Sequence, residues 1–393
     1  MVNTIDAALY PELYKRAYKV ARKQYGILGG VQVNFGSDSV NIDKAGENKT
    51  YITIPVAGAP TNRSFTAAQV ATVGANSIHT KIQLQITKSE VESWHQTDDE
   101  VAAMGIGGSD TVKDIFMQEV ELAMDALMDL VSEDVVTDVP KWASYARGVA
   151  GTTPFAADLT PLTAMWRELN ENGAPEMDRS FIMDHAASEN FMNLSIVQQA
   201  NVAGSVDALR KGIFLPHIGF RLAVDTNIDA VTKGTATGYD SDGGDAIGDT
   251  TLTMDGSSTG TVLAGDIVTF AGDATKYVCA DTAQSLSGGA AGDIVINKPG
   301  LKATLPTTVE GTTGASFTPN IAIQKNGYVV ALRPPSISAN STTVKSVTPI
   351  TDASTGLTFY LVELPGYGLT TWELHLAWGF TGINPAFITL YLG

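Results

Sequence analysis

The sequence predicts an α+β protein with a small all-β unit inserted into it, on three observations. Period-two strands at 50–56 and 77–87 enclose about twenty residues with no periodic apolar face. One very long amphipathic helix pattern follows from Ser109. Between about Asp229 and Gly311 the composition shifts to Thr, Gly, Asp, Ser and Ala, with short strand signals and few aromatics. The 393 residues suit two or three domains at the usual ~100–200 residues each.

The chain opens on a basic stretch, YPELYKRAYKVARKQY (10–25), in which Lys15, Arg16, Lys19, Arg22 and Lys23 stand against Glu12 alone. Their spacing of i, i+1, i+4, i+7 and i+8 places them on one helical face. Three readings fit: an arm docking on a neighbouring subunit, a binder of an acidic partner, or a solvated face. The rest of the chain is acidic, with a net charge of −17 overall, which argues against nucleic-acid binding through clustered Lys and Arg. Only 17% of residues are charged, so the surface is poor in charge and part of it is expected to be covered by other subunits. MVNTIDAALYPELYK lacks a signal-peptide pattern, and no apolar run reaches the ~20 residues a membrane span needs, so a cytoplasmic protein is expected.

GILGGVQVNFGSDS (26–39) reads as a Gly-rich break with a flexible joint expected at 26–30, and GIGG (105–108) as a second joint, hinging the long helix. TYITIPV and SIHTKIQLQIT are matched strands, and the long segment between them predicts a projecting β-hairpin. The helix from Ser109 or Asp110 has an apolar stripe of Val112, Ile115, Phe116, Val120, Leu127, Leu130 and Val131, and Pro140 stops it. Its other face carries Asp114, Glu121, Asp125, Asp129 and Glu133, either solvated or facing a neighbour's basic arm.

TPLTAMWRELNENGA predicts a short helix with Thr160 as cap, Pro161 in the first turn and Gly173 beyond the end. MDRSFIMD reads as a buried strand, HAASENFMNLSIVQQAN as a helix, and LRKGIFLPHIGFRLAVDTNI as a hairpin. The inserted unit contains TTLTM, GDIVTFAG, KYVCA and DIVIN. After it come longer apolar strands, the last alternating Trp372, Leu374, Leu376, Trp378 and Phe380.

Chemistry-bearing patterns are sparse. The five histidines have no metal-pair spacing, and there is no HExxH, GxSxG or GxxxxGK[ST] motif. The lone Cys279 has no partner for a disulfide and reads as a small buried hydrophobe. YDSDGGDAIGD (239–249) has the Asp spacing of a calcium loop but neither its closing Glu nor flanking helices. His185 beside Asp184 or Glu189 reads as a cap-region residue before it reads as a base. No cofactor and no catalytic residue is expected.

The order of arm, long hairpin, long helix, inserted β unit and β-rich end resembles the major capsid protein of tailed bacteriophages, the Hong Kong 97-type fold. The likeness is to short-tailed phage coat proteins with an inserted β-barrel domain. ALRKGIFLPHIGFRLAVDTNIDAVTKGTATG, GDIVTFAG and LAWGFTGINPAFITLYLG carry it, and it covers nearly the whole chain.

The resemblance implies an N-terminal arm at 1–49, an extended loop at 50–88 and a peripheral domain with spine helix at 89–148. It implies an axial domain at 149–228, the insertion at 229–311 and returning axial and peripheral strands at 312–393. It further implies a non-enzymatic shell of pentamers and hexamers, with a separate scaffolding protein, a portal and a possible decoration protein, enclosing DNA in the virion after assembly in the host cytoplasm. The negative net charge suits that role, since a basic inner wall would trap the genome by counterion release.

By the same resemblance Asp240, Asp242, Asp245 and Asp249 of the inserted loop would meet basic groups on a neighbouring capsomer. The basic arm residues and the loop-tip Asn62 and Arg63 would form further interfaces. With no Lys between Lys49 and Lys81, covalent cross-linking through the loop is not expected. Alternatives are an encapsulin-like compartment shell, a Gly/Thr-rich carbohydrate-binding surface protein, and an enzyme using a metal at Asp240 and Asp242.

Overall fold

The computed structural model describes residues 25–35, 40–41, 51–56, 80–99, 109–198, 216–255, 260–280, 284–286, 292–333, 344–351 and 358–393, and structure is stated for these alone. In chain order a 3-10 turn at Ile27–Gly29 leads into strands β1 (Gln32–Phe35), β2 (Val40–Asn41), β3 (Tyr51–Val56), β4 (Thr80–Gln85) and β5 (Lys88–Thr97). Helix α1 (Ser109–Asp138) precedes β6 (Tyr145–Gly148), α2 (Thr160–Glu171), β7 (Arg179–Met183), α3 (His185–Asn193), α4 (Ser195–Gln198) and β8 (Arg221–Val224). The Thr/Gly-rich region supplies β9 (Tyr239–Asp240), β10 (Thr251–Met254), β11 (Thr261–Val262), β12 (Ile267–Phe270), β13 (Lys276–Val278), β14 (Gln284–Ser285), β15 (Gly292–Val295) and β16 (Glu310–Thr313). The chain closes with β17 (Pro319–Gln324), β18 (Tyr328–Arg333), β19 (Ser346–Thr351), β20 (Thr358–Pro365), β21 (Leu369–Gly382) and β22 (Ile388–Leu392).

Two large sheets hold the molecule together. One has six strands in the order β1-β18-β21-β20-β19, with β5 along the other edge of β21. The other has nine, in the order β8-β7-β17-β22-β6-β13-β12-β16-β9. The 30-residue α1, ~45 Å long at 1.5 Å per residue, lies between them. Its Val120, Met124, Leu127, Val131 and Val135 share one core with Trp372, Leu374, Leu376 and Trp378 of β21 and with Ile321, Ile323 and Leu390 of the nine-stranded sheet.

The predicted stripe on α1 is right for Val120, Leu127 and Val131, but Leu130 is 38% exposed. Met124, Met128 and Val135 take the remaining core positions, so the buried face is rotated from the one drawn through Leu130. The carboxylates bordering that face accept donors from the sheet. Asp134 accepts Trp378 Nε1 at 2.9 Å, Asp138 accepts Tyr328 Oη at 2.7 Å, and Glu119 accepts Gln96 Nε2 at 3.0 Å.

β3 and β4 pair antiparallel from Tyr51↔Gln85 to Val56↔Thr80, so they form the matched stem the alternation predicts. Leu84 packs on Val329 and Ala331 of β18, whereas Val330 and Leu332 face the α1 core, which puts stem and helix on opposite faces of the six-stranded sheet. β7 is buried along its whole length, with Ile182 in the α1 core and Phe181 and Met183 in a second core built with α2, α3 and β8. Such two-sided burial makes an unbroken apolar run a strand.

Several expectations change. Thr160 is the first residue of α2 and not its cap: the N-cap is Leu159, which makes no side-chain cap bond, and Asp158 Oδ1 accepts the Thr160 N–H at 2.8 Å. The helix expected from His185 breaks at the extended Leu194. Of the hairpin expected at 209–228, only a tight turn from His217 to Phe220 is described. β8 then pairs parallel with β7.

The Gly-rich stretch at 26–30 is not a loose joint in this fold. Ile27, Leu28 and Val31 are buried, and a Cβ on Gly26 would lie 2.6 Å from Val224 O, one on Gly29 2.2 Å from the Arg221 guanidinium. These glycines permit close approach, so φ freedom is not their role; Gly26 itself is helical at φ −59°. The second joint, at 105–108, lies outside the described residues.

Candidate functional site

The inserted unit has its own core and a shared sheet. Tyr239, Leu252, Met254, Val268, Phe270, Tyr277 and Cys279 form a cluster whose one contributor from outside residues 229–311, among the described residues, is Tyr145. Tyr145 belongs to β6, which pairs parallel with β22 on one side and antiparallel with β13 on the other. β6 therefore joins the unit's strands to the rest of the nine-stranded sheet.

Side chains reinforce that seam. Tyr145 Oη donates to Gly300 O at 2.7 Å, and Asn297 Nδ2 donates to Lys141 O at 2.7 Å and Ala143 O at 2.9 Å. The Lys276 ammonium, its pKa lowered by burial, donates to Gly148 O. Glu168 of α2 is fully buried and accepts Arg147 Nε and Nη2 at 2.9 and 2.7 Å, while Lys302 of the inserted unit binds its other oxygen. Lys302 also reaches Glu171 at 3.2 Å and lies 4.3 Å from the Tyr145 ring centroid. Burial is the main cause that raises the Tyr145 phenol; Tyr277, bonded to Asp273 at 2.6 Å, is pushed up to about 12 by burial first and that bond second.

A second cluster lies at the base of the N-terminal segment. Asp225, 1% exposed, accepts Ile27 N–H at 3.0 Å, Asn227 N–H at 3.0 Å and the Ser132 hydroxyl at 3.3 Å. Burial raises its pKa against the lowering effect of those bonds. Tyr25 Oη donates to Asp125 Oδ1 at 2.8 Å, and Asn227 Nδ2 donates to Asp129 Oδ1 at 2.9 Å. Two carboxylates of the acidic face of α1 are thus used within the chain.

The four loop aspartates are not brought into one cluster. Asp240 sits in β9, its N–H bonded to Asp255 Oδ1 at 3.1 Å, and Asp242 is exposed. Asp249 is also exposed and closes its own turn by accepting Ala246 N–H at 2.7 Å. Asp245 is half-buried with its pKa raised by burial first and by Asp249 second. Among the described residues no group of three or more His, Cys, Asp and Glu is placed to hold a metal ion. Lys15, Arg16, Lys19, Arg22, Lys23, Asn62 and Arg63 lie outside the described residues.

Asp184, which adjoins His185 in sequence, caps α3, its carboxylate accepting the Ala186 and Ala187 N–H groups. Cys279 is buried, which raises its thiol pKa. Sequence reasoning missed Asp225, Glu168 and Lys302 as joints. Glu168 stands in WRELNE, where its burial between Met165 and Leu169 has the signal of a helix turning inward, but the partners that hold it are remote in the chain.

No known protein family matches the chain at the sequence level, and no curated protein does. Its structure is similar to a cyanophage A-1(L) capsid asymmetric unit, at 11% identity and a TM-score of 0.47 over 94% of this chain and 92% of that one. It is similar to a chain of Mycobacterium phage Che8 at 11% identity and TM-score 0.44, covering 87% and 84%. It is also similar to a virus-like particle from Pyrococcus furiosus at 9% and 0.40, covering 97% and 98%. Likenesses this remote say nothing of what the chain does.

Proposed function

We propose that the chain is a non-enzymatic coat subunit of the Hong Kong 97 type, which assembles in many copies into the shell of a tailed phage. The observation that carries this is the arrangement around the six-stranded sheet. A single ~45 Å helix braces one face, and the β3–β4 stem that brackets residues 57–79, with β2 along the outer edge of β3, is seated on the other. A strut with a long loop on its far side is poorly suited to enclosing a substrate and well suited to reaching a neighbour.

On this reading residues 1–49 are the arm, 50–88 the extended loop, 89–148 the peripheral domain with α1 as spine, 149–228 and 312–393 the axial domain and returning strands, and 229–311 the insertion. The separate hydrophobic cluster of the insertion supports its assignment as a unit. Exposed Asp242 and Asp249 are its candidates for contact with a neighbouring capsomer. A separate scaffolding protein, a portal, enclosed double-stranded DNA and assembly in the host cytoplasm complete the proposal. An encapsulin-like shell would use the same subunit architecture without a genome.

Sedimentation and negative-stain imaging of the concentrated protein test it. Shells, tubes or rings of capsomers are expected; a single 41.4 kDa particle at every concentration would count against it. Irregular or open particles from the chain alone would support the need for a scaffold. Ultraviolet absorbance of shells recovered from infected cells separates DNA-filled from protein-filled compartments.

A further inference from the structure

The outward face of α1 carries apolar residues that nothing described covers: Leu122 is 63% exposed, Ala126 is exposed and Leu130 is 38% exposed, at i, i+4 and i+8. Glu121, Asp125, Asp129 and Glu133 flank this stripe. An apolar stripe edged with acid fits an amphipathic segment edged with base.

The chain holds one such segment. Leu13, Tyr14, Ala17, Tyr18 and Ala21 recur at i, i+1, i+4, i+5 and i+8, the spacing of one helical face, and Tyr25 follows one turn on. Lys15, Arg16, Lys19, Arg22 and Lys23 occupy the other positions.

Its point of attachment is fixed. Ile27 N–H is held by Asp225, which bonds Ser132 of α1, while Tyr25 Oη reaches Asp125, two turns earlier on the same helix. Followed backwards from Ile27, the chain heads toward the N-terminal half of α1, where Leu122 lies.

We propose that residues 10–24 dock along the outward face of their own chain's α1, parallel to it and toward its N-terminal end, with Tyr18 and Ala21 of the apolar face against Leu122 and Ala126 and with basic residues beside Glu121 and Asp125. The apolar contact supplies most of the affinity and the charges set the orientation, so salt weakens the docking without abolishing it. This inference does not depend on the shell reading.

Hydrogen exchange of the full chain, with and without Leu122→Asp, tests it alongside a cross-link. Amides of residues 13–23 are expected to be protected, and Leu122→Asp is expected to reduce that protection about tenfold or more, the loss of one large apolar contact. Because Leu122 is largely exposed, the variant retains the fold, checked by unchanged protection of β7. Ala21→Cys with Leu122→Cys should be joined within one chain by a short bis-maleimide and run as a monomer on a denaturing gel, Cys279 being buried. A covalent dimer would place a neighbour's segment on the stripe and overturn the proposal. So would unprotected amides, or protection indifferent to Leu122→Asp.

Discussion

The Asp225 carboxylate accepts the Ile27 N–H at 3.0 Å across 198 positions of sequence, and through Ser132 it ties both to α1. One buried acid therefore fixes where the N-terminal segment leaves the body. It has no ion-pair partner in its bonding set, and three donors offset its desolvation.

Asp225→Ala should cost about 1–3 kcal/mol, because Ile27 N–H and Ser132 would lose their acceptor in a dry site. Asp225→Asn gives the pH test. The folded pKa is raised, so the stability Asp225 contributes is fully present below the ordinary carboxylate value and is lost as pH rises through the folded value. Asn does not titrate. Urea midpoints from pH 4 to 7 should shift in favour of Asp225→Asn as pH rises; a constant difference would contradict the assignment.

Gly379→Ala should weaken the seat of the β3–β4 stem. A Cβ there would lie 2.1 Å from the Gln85 carbonyl oxygen, where the backbone passes between β4 and β5 over β21. Neither strand can yield cheaply, so a loss of about 1–3 kcal/mol or more is expected. Raised exchange at residues 82–86 would locate the damage; a variant as stable as the parent would show that the crossing relaxes.

Glu168→Gln should destabilise more than Lys302→Ala. Glu168 is fully buried and serves two cations, whereas after Lys302→Ala it keeps both Arg147 bonds. The orphaned cations are about a third and a quarter exposed and can regain water, which lowers the usual buried-pair penalty to about 1–3 kcal/mol. Equal urea midpoints for the two variants would mean that Lys302 alone carries the contact.

What could be read from sequence follows the range of each signal. Alternation fixed β21, since Trp372, Leu374, Leu376 and Trp378 all face α1, and it found β3 and β4 as partners. These are local periods reporting one buried face. The composition shift at 229–311 coincides with short strands most of whose buried residues pack in one cluster. The seam was not legible: Tyr145 and Glu168 look like ordinary strand and helix residues until Gly300 and Lys302 arrive from more than a hundred positions away. Glycine misled at 26–30, where it signals close packing against Val224, Arg221 and Ile182, while the same letters elsewhere signal freedom. The loop aspartates shared a short segment, yet Asp240 is taken into β9 and Asp242 is exposed, while only Asp245 and Asp249 interact.

Deleting residues 235–305 should do more than remove an appendage. β6 would lose its pairing with β13 and expose an open edge in the middle of what was a nine-stranded sheet. Tyr145, now buried, would face solvent beside it, and Glu168 would lose Lys302. The shortened chain is expected to collapse but to aggregate, because an unpaired strand beside an exposed aromatic is a template for further strands. A deletion that also carries Tyr145→Lys, at the side chain that faced the insertion, should recover solubility, since a charge blunts an edge without restoring the insertion. Light scattering of the two deletions at equal concentration makes the comparison. A simple deletion that stays dispersed, with its parent's near-ultraviolet circular dichroism from the α1 core, would mean that β6 pairs with β13 without depending on it.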